Sequence, residues 1–82
     1  MTYLFYDLED HDYNAIDFDN QISTGWEYMD KSNTADYTPI GTTARTPDEF
    51  LLKNDTFRLI GSLNKVEPTY QDWLEAYPEY FI

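Results

Sequence analysis

The chain has 82 residues, with 16 Asp and Glu against 5 Lys and Arg, a formal net charge of −11 and no cysteine. That length makes one domain with a limited core, and the missing cysteines exclude a disulfide framework and a Cys-based zinc site. The charge makes free nucleic acid and anionic membranes poor partners. No apolar run approaches the roughly 20 residues that span a bilayer, and the start MTYLFYDLED lacks the basic and apolar segments of a signal peptide.

The first half reads as strands. Tyr3-Leu4-Phe5-Tyr6 is aromatic and strand-favouring, with Leu4, Tyr6 and Leu8 on one face and Phe5, Asp7 and Glu9 on the other. Residues 15–19 alternate, Ile16 and Phe18 against Asp17 and Asp19. Ser23-Thr24-Gly25 suggests a turn before a third alternating stretch, Trp26-Glu27-Tyr28. These stretches predict a meander with one aromatic face and one acidic face. Residues 31–46 are polar and read as a long loop, unless they contain a short strand such as residues 37–40.

The second half carries helix signals. Thr46-Pro47-Asp48-Glu49 combines an N-cap, a proline at the first helical position and a capping-box glutamate, and Asn54-Asp55 ends the segment. Residues 56–63 fit either a strand, with Phe57 and Leu59 on one face, or a further helical segment, and Gly61 weakens both readings. Thr69-Tyr70-Gln71-Asp72 is a second capped start. Tyr70, Trp73, Leu74 and Tyr77 then share one helical face, and Pro78 stops the helix. The expectation is one α+β domain over residues 1–82: a small antiparallel sheet of about three strands packed against one or two short helices. Both helices are expected to cover the aromatic face. Residues 1–30 form an acidic strand region, 31–46 a loop and 47–82 a helical region. No internal repeat stands out.

The charge is uneven. Residues 1–40 hold nine acids against Lys31, a net −8, and residues 41–82 carry a net −3. The stretch YDLEDHDYNAIDFDN, residues 6–20, has six carboxylates and one histidine but no lysine or arginine. Asp10-His11-Asp12-Tyr13-Asn14 matches the first five positions of an EF-hand loop. Ala15 then stands where the turn glycine belongs, and Gln21 where the bidentate glutamate belongs. A calcium site of another kind, built from Asp10, Asp12, Asn14, Asp17 and Asp19, stays an alternative. His11 is the only histidine, which argues against zinc. No nucleophile motif, P-loop or dinucleotide fingerprint is present, so no enzyme activity and no cofactor or metal are expected.

A surface reading fits better. Like charges on neighbouring strands cost roughly 0.2–1 kcal/mol per pair. Solubility alone needs a net charge of only about 2–8 in magnitude. A cationic partner would relieve the repulsion and be steered toward it. Carboxylates spaced along a strand lie about 7 Å apart on one face, close to the separation of successive phosphates. Asp7, Glu9, Asp10, Asp12, Asp17, Asp19, Glu27 and Asp30 are the candidate charges, and Tyr6, Tyr13 and Tyr28 the candidate anchors.

In these properties the chain resembles the small DNA-mimic inhibitors of phages and mobile elements, among them anti-CRISPR proteins and inhibitors of restriction enzymes and uracil-DNA glycosylase. The resemblance implies inhibition of a basic, nucleic-acid-binding protein or complex by an acidic protein that itself binds neither nucleic acid nor membrane. It also implies a cytoplasmic location, in the host cell if the gene is a phage's. An immunity protein or antitoxin for a basic toxin is the alternative with the same physics, and the oligomeric state stays open.

Overall fold

The structure, a computed structural model, describes residues 1–27, 36–39 and 43–81. Its elements run β1 (Thr2–Asp7), β2 (Asp12–Asp17), β3 (Ile22–Glu27), β4 (Asp36–Pro39), α1 (Pro47–Lys53), β5 (Phe57–Leu63) and α2 (Tyr70–Ala76), followed by a 3₁₀ turn over Pro78–Tyr80. The fold is α+β, as expected. The antiparallel sheet is larger than about three strands: it has five, in the order β4-β3-β2-β1-β5. The expected short strand near residue 37 is β4, and residues 57–63 are strand rather than helix. The region 47–82 is therefore not purely helical. The chain crosses through α1 from one edge of the sheet to the other, where β5 pairs with β1.

Two expectations about the strands are corrected. The second strand ends at Asp17, and residues 18–21 are the turn. Ser23-Thr24-Gly25 is not a turn but lies inside β3, opposite Ile16, Ala15 and Asn14. The turn belongs where an acceptor side chain and a left-handed residue coincide, which Asp17 and Gln21 provide (see below).

The separation into an aromatic and an acidic face is also overturned. Leu4, Tyr13 and Ala15 pack with Trp73 and Phe81 on one side of the sheet, joined by Tyr6, Ile60, Tyr70, Leu74 and Tyr77. Phe5, Ile16 and Phe18 pack with Ala44 and Phe50 on the other, joined by Tyr3, Leu51 and Phe57. The two helices lie on opposite faces, not on one. The cause is the position of β1 and β2 in the middle of the sheet: a strand covered on both sides carries an apolar run rather than an alternation. Tyr3-Leu4-Phe5-Tyr6 is such a run. Trp73, Leu4 and Phe5 are fully enclosed, and burial of side chains this size stabilises by about 1.5–3 kcal/mol each.

The helices begin as their caps require. The Thr46 hydroxyl accepts the Glu49 N–H at 3.1 Å, and the Glu49 carboxylate reaches back to the Arg45 N–H at 3.3 Å. At α2 the capping box is complete, Thr69 and Asp72 each accepting the other's backbone N–H. The Thr69 N–H, then Lys65, hold the Asp72 carboxyl below its ordinary value. This contribution is present at neutral pH and fades as pH falls through the lowered value.

The outer edge of β5 is closed by Tyr77. Its hydroxyl accepts the Ser62 N–H at 3.0 Å and donates to the Ser62 carbonyl at 3.1 Å. A phenol thus takes the place of a neighbouring strand, while a bulge at Ile60 breaks the register beside it. The approach needs Gly61, since any Cβ there would overlap the Tyr77 ring.

Candidate partner-binding surface

The two hairpin turns that join β1 to β2 and β2 to β3 use the same chemistry ten residues apart. Asp7 Oδ1 accepts the Glu9 N–H at 2.9 Å, and Asp17 Oδ1 accepts the Asp19 N–H at 3.0 Å. Each turn then closes through a left-handed residue, His11 with φ 58° and Gln21 with φ 54°. In the first, the His11 N–H donates to the Asp7 carbonyl at 2.8 Å. An aspartate that accepts the N–H two residues on is a standard turn former. The sequence therefore does repeat: Asp-Leu-Glu-Asp-His at 7–11 and Asp-Phe-Asp-Asn-Gln at 17–21.

This places the candidate charges in two groups and removes two of them from the surface. Asp17 is 1% exposed and Asp7 is 6% exposed. Both carboxylates are held inward by the turns they form, so neither presents charge to a partner. Asp17 carries the larger network, also accepting the Asn20 N–H at 3.4 Å and the Asn20 amide at 2.9 Å. Asp19 is exposed but belongs to the second turn, at the end of the sheet where it lines a small hollow with Arg45 and Met1. Glu9 and Asp10 are exposed in the first turn, at the opposite end. The six residues of β2 separate the two turns by about 17 Å.

The first-turn end is the acidic one. Asp7 faces Asp12 across the β1–β2 ladder, and Asp12 faces Glu27 across β2–β3. Their backbones form one row of three acids at the spacing of adjacent strands, about 5 Å. Glu9 and Asp10 lie in the turn beside this row. The Leu8 N–H donates to the Thr56 carbonyl at 2.9 Å, which brings the turn that carries Asp55 alongside. Burial pushes the Asp12 carboxyl above its ordinary value. The Asn14 amide, 3.2 Å away, pulls it back, while Asp7 and Asp10 push it further up. The side chain of Glu27 and all of Tyr28 and Asp30 lie outside the described residues.

Among the described residues, no basic side chain forms an ion pair with these acids. Among the described residues there is one ion pair, Lys65 with Asp72 at 2.9 Å, far along the chain. Lys53 donates to the Thr43 hydroxyl, and Arg58 Nη1 donates to the carbonyls of Asp55 and Phe57 at 2.8 and 2.9 Å. Among the described residues no three His, Asp or Glu side chains converge to hold a metal ion, and no helix is long and apolar enough to cross a membrane.

Tyr6 and Tyr13 lie on the α2 side of the sheet and not among the carboxylates. Their rings meet edge to face at 5.0 Å. Tyr13 stacks on Phe81 at 4.6 Å, and its hydroxyl donates to the Tyr80 carbonyl. The Tyr6 hydroxyl lies 3.3 Å from His11 Nδ1. Tyr6 and Tyr13 line a groove of about 310 Å³ with Arg58, Leu59, Ile60 and Tyr80. Sequence reasoning gave none of the last four a part in binding. No local signal marks them, because the groove exists only once β5 pairs with β1 and the 3₁₀ turn folds back over Tyr13. In comparisons with known proteins, the chain matches no family model, no curated protein and no solved structure.

Proposed function

We propose that this is an acidic binding protein that inhibits a basic, nucleic-acid-handling protein by presenting carboxylates in place of phosphates. An anti-CRISPR or other anti-defence inhibitor is the form this takes under the resemblance to DNA mimics. One observation carries the reading: Glu9, Asp10, Asp12 and Asp55 gather at the first-turn end of the sheet, and among the described residues none of them is in an ion pair. The gathering sets like charges against one another, Asp10 against Asp12, whereas a cationic surface docked on it would relieve the repulsion and be drawn in by it. The interface is narrower than the acidic stretch as a whole. It centres on the first turn and leaves out Asp7 and Asp17.

The test is affinity capture on the immobilised protein, with the captured partner eluted by salt and, separately, by nucleic acid. The expected partner is basic, elutes with rising salt, is displaced by duplex or single-stranded nucleic acid, and is not retained by the Glu9→Lys/Asp10→Lys variant. A basic partner that nucleic acid does not displace points to the immunity-protein alternative. Retention by the double variant removes the first turn from the interface.

A further inference from the structure

We infer that the tyrosine groove beside the first turn receives an arginine side chain of the partner protein. The inference rests on the cationic-partner reading and supplies its anchor. The groove is walled by the rings of Tyr6, Tyr13 and Tyr80, with Leu59 and Ile60 beside them. Aromatic faces attract a cation through their quadrupole, and aliphatic side chains suit the methylene stem that carries it. Tyr13 is fixed from both sides, by its stack on Phe81 and by its hydroxyl on the Tyr80 carbonyl, so the floor is in place before anything enters. Tyr80 and Leu59 are about half exposed, which leaves the mouth accessible.

Charge selects the occupant. The Tyr6 hydroxyl lies 3.3 Å from His11 Nδ1, so the first turn, with its exposed acids Glu9 and Asp10, adjoins the groove. An anionic ligand would enter against a net charge of −11, and a second copy of the chain would bring the same charge again. Arg58 is the one cation among the described lining residues. Its Nη1 is bound to the carbonyls of Asp55 and Phe57, which holds the guanidinium against the start of its own strand. Arginine fits better than lysine because its guanidinium is planar, weakly hydrated and able to stack on a phenol while donating in plane to phenolic oxygens.

The experiment needs no identified partner. The full-length protein is titrated with N-acetyl-arginine amide while the tyrosine ring resonances are followed by NMR, with N-acetyl-citrulline amide as the neutral isostere and inorganic phosphate as the anionic probe. The expected result is a saturable shift at Tyr6, Tyr13 and Tyr80 that is about fivefold to tenfold weaker for citrulline, is weakened as much by Tyr80→Ala, and is strengthened by Arg58→Gln. Equal response to citrulline overturns the inference. So does a response to phosphate that Arg58→Gln abolishes, which would make the groove an anion site. Neither result touches the broader reading, which is tested separately by displacement of the captured partner with nucleic acid and by the Glu9→Lys/Asp10→Lys variant.

Discussion

The two hairpin turns are built alike and loaded differently. In the second, Asp17 receives three hydrogen bonds from Asp19 and Asn20, the residue after the turn is Ile22, and Arg45 lines the same hollow as Asp19. In the first, the Asp7 carboxylate accepts one hydrogen bond, from the Glu9 N–H, Asp10 stands where Asn20 would donate, and Asp12 stands where Ile22 would be apolar. The second turn shows what this geometry needs for folding. The additional carboxylates of the first turn are beyond that need. Burial already raises Asp12, and Asp10 adds repulsion to it, so the presence of these acids is better accounted for by binding than by stability.

The comparison can be broken most sharply at its anchors. Asp17→Ala leaves the Asp19 and Asn20 donors without their acceptor in a buried site and should cost about 2–3 kcal/mol, read as a lower midpoint in urea unfolding. Asp7→Ala, with fewer bonds lost, should cost about half as much. Equal losses would mean that the two turns are not loaded differently. For the same reason, reversing Asp17 to lysine unfolds the protein and cannot serve as a surface mutation.

The left-handed residues come next. His11→Gly and Gln21→Gly relieve a side chain held at positive φ and should each stabilise by about 0.5–1 kcal/mol, measured as a rise in melting temperature. The gain at His11 should be the smaller, because His11→Gly also gives up the contact with the Tyr6 hydroxyl.

Asp12 separates the turns by pH. Its carboxyl titrates above the ordinary 3.8, so its ionisation costs more in the folded chain than in the unfolded one. Asp12→Asn should therefore match the natural protein in acid and become the more stable of the two as pH rises through the raised value. The gain at neutral pH should stay below about 1 kcal/mol. Melting curves across that range check it, and a gain that instead shrinks with rising pH would contradict the direction of the shift.

The smallest effect on folding is expected where the largest on binding is. Glu9→Lys/Asp10→Lys should leave stability unchanged or raise it by a few tenths of a kcal/mol, since it removes like charge from an exposed turn. A clear loss of stability would assign those acids to the fold after all.

Much of the secondary structure was legible because its causes are local. Thr46 and Thr69 start helices through hydrogen bonds that close within three residues, and β1 announces itself by an aromatic run. The Asp-x-[Asp/Glu] turn signature was equally local. It was masked by the alternation of residues 15–19, which made Asp17 look like an outward strand residue when it is a buried turn former. Residues 56–63 could not be resolved from their own pattern because Gly61 is there for Tyr77, sixteen residues away.

The amino-acid sequence by itself determined the α+β class, both helix starts and the surplus of negative charge, since each depends on neighbours a few positions apart or on composition alone. Tertiary structure decided that the helices take opposite faces, that β5 joins the sheet at β1, that Asp7 and Asp17 turn inward, and that Tyr6, Tyr13 and Tyr80 meet in one groove. These outcomes depend on contacts between residues distant in the chain, where burial on both faces of the central strands outweighs any local alternation.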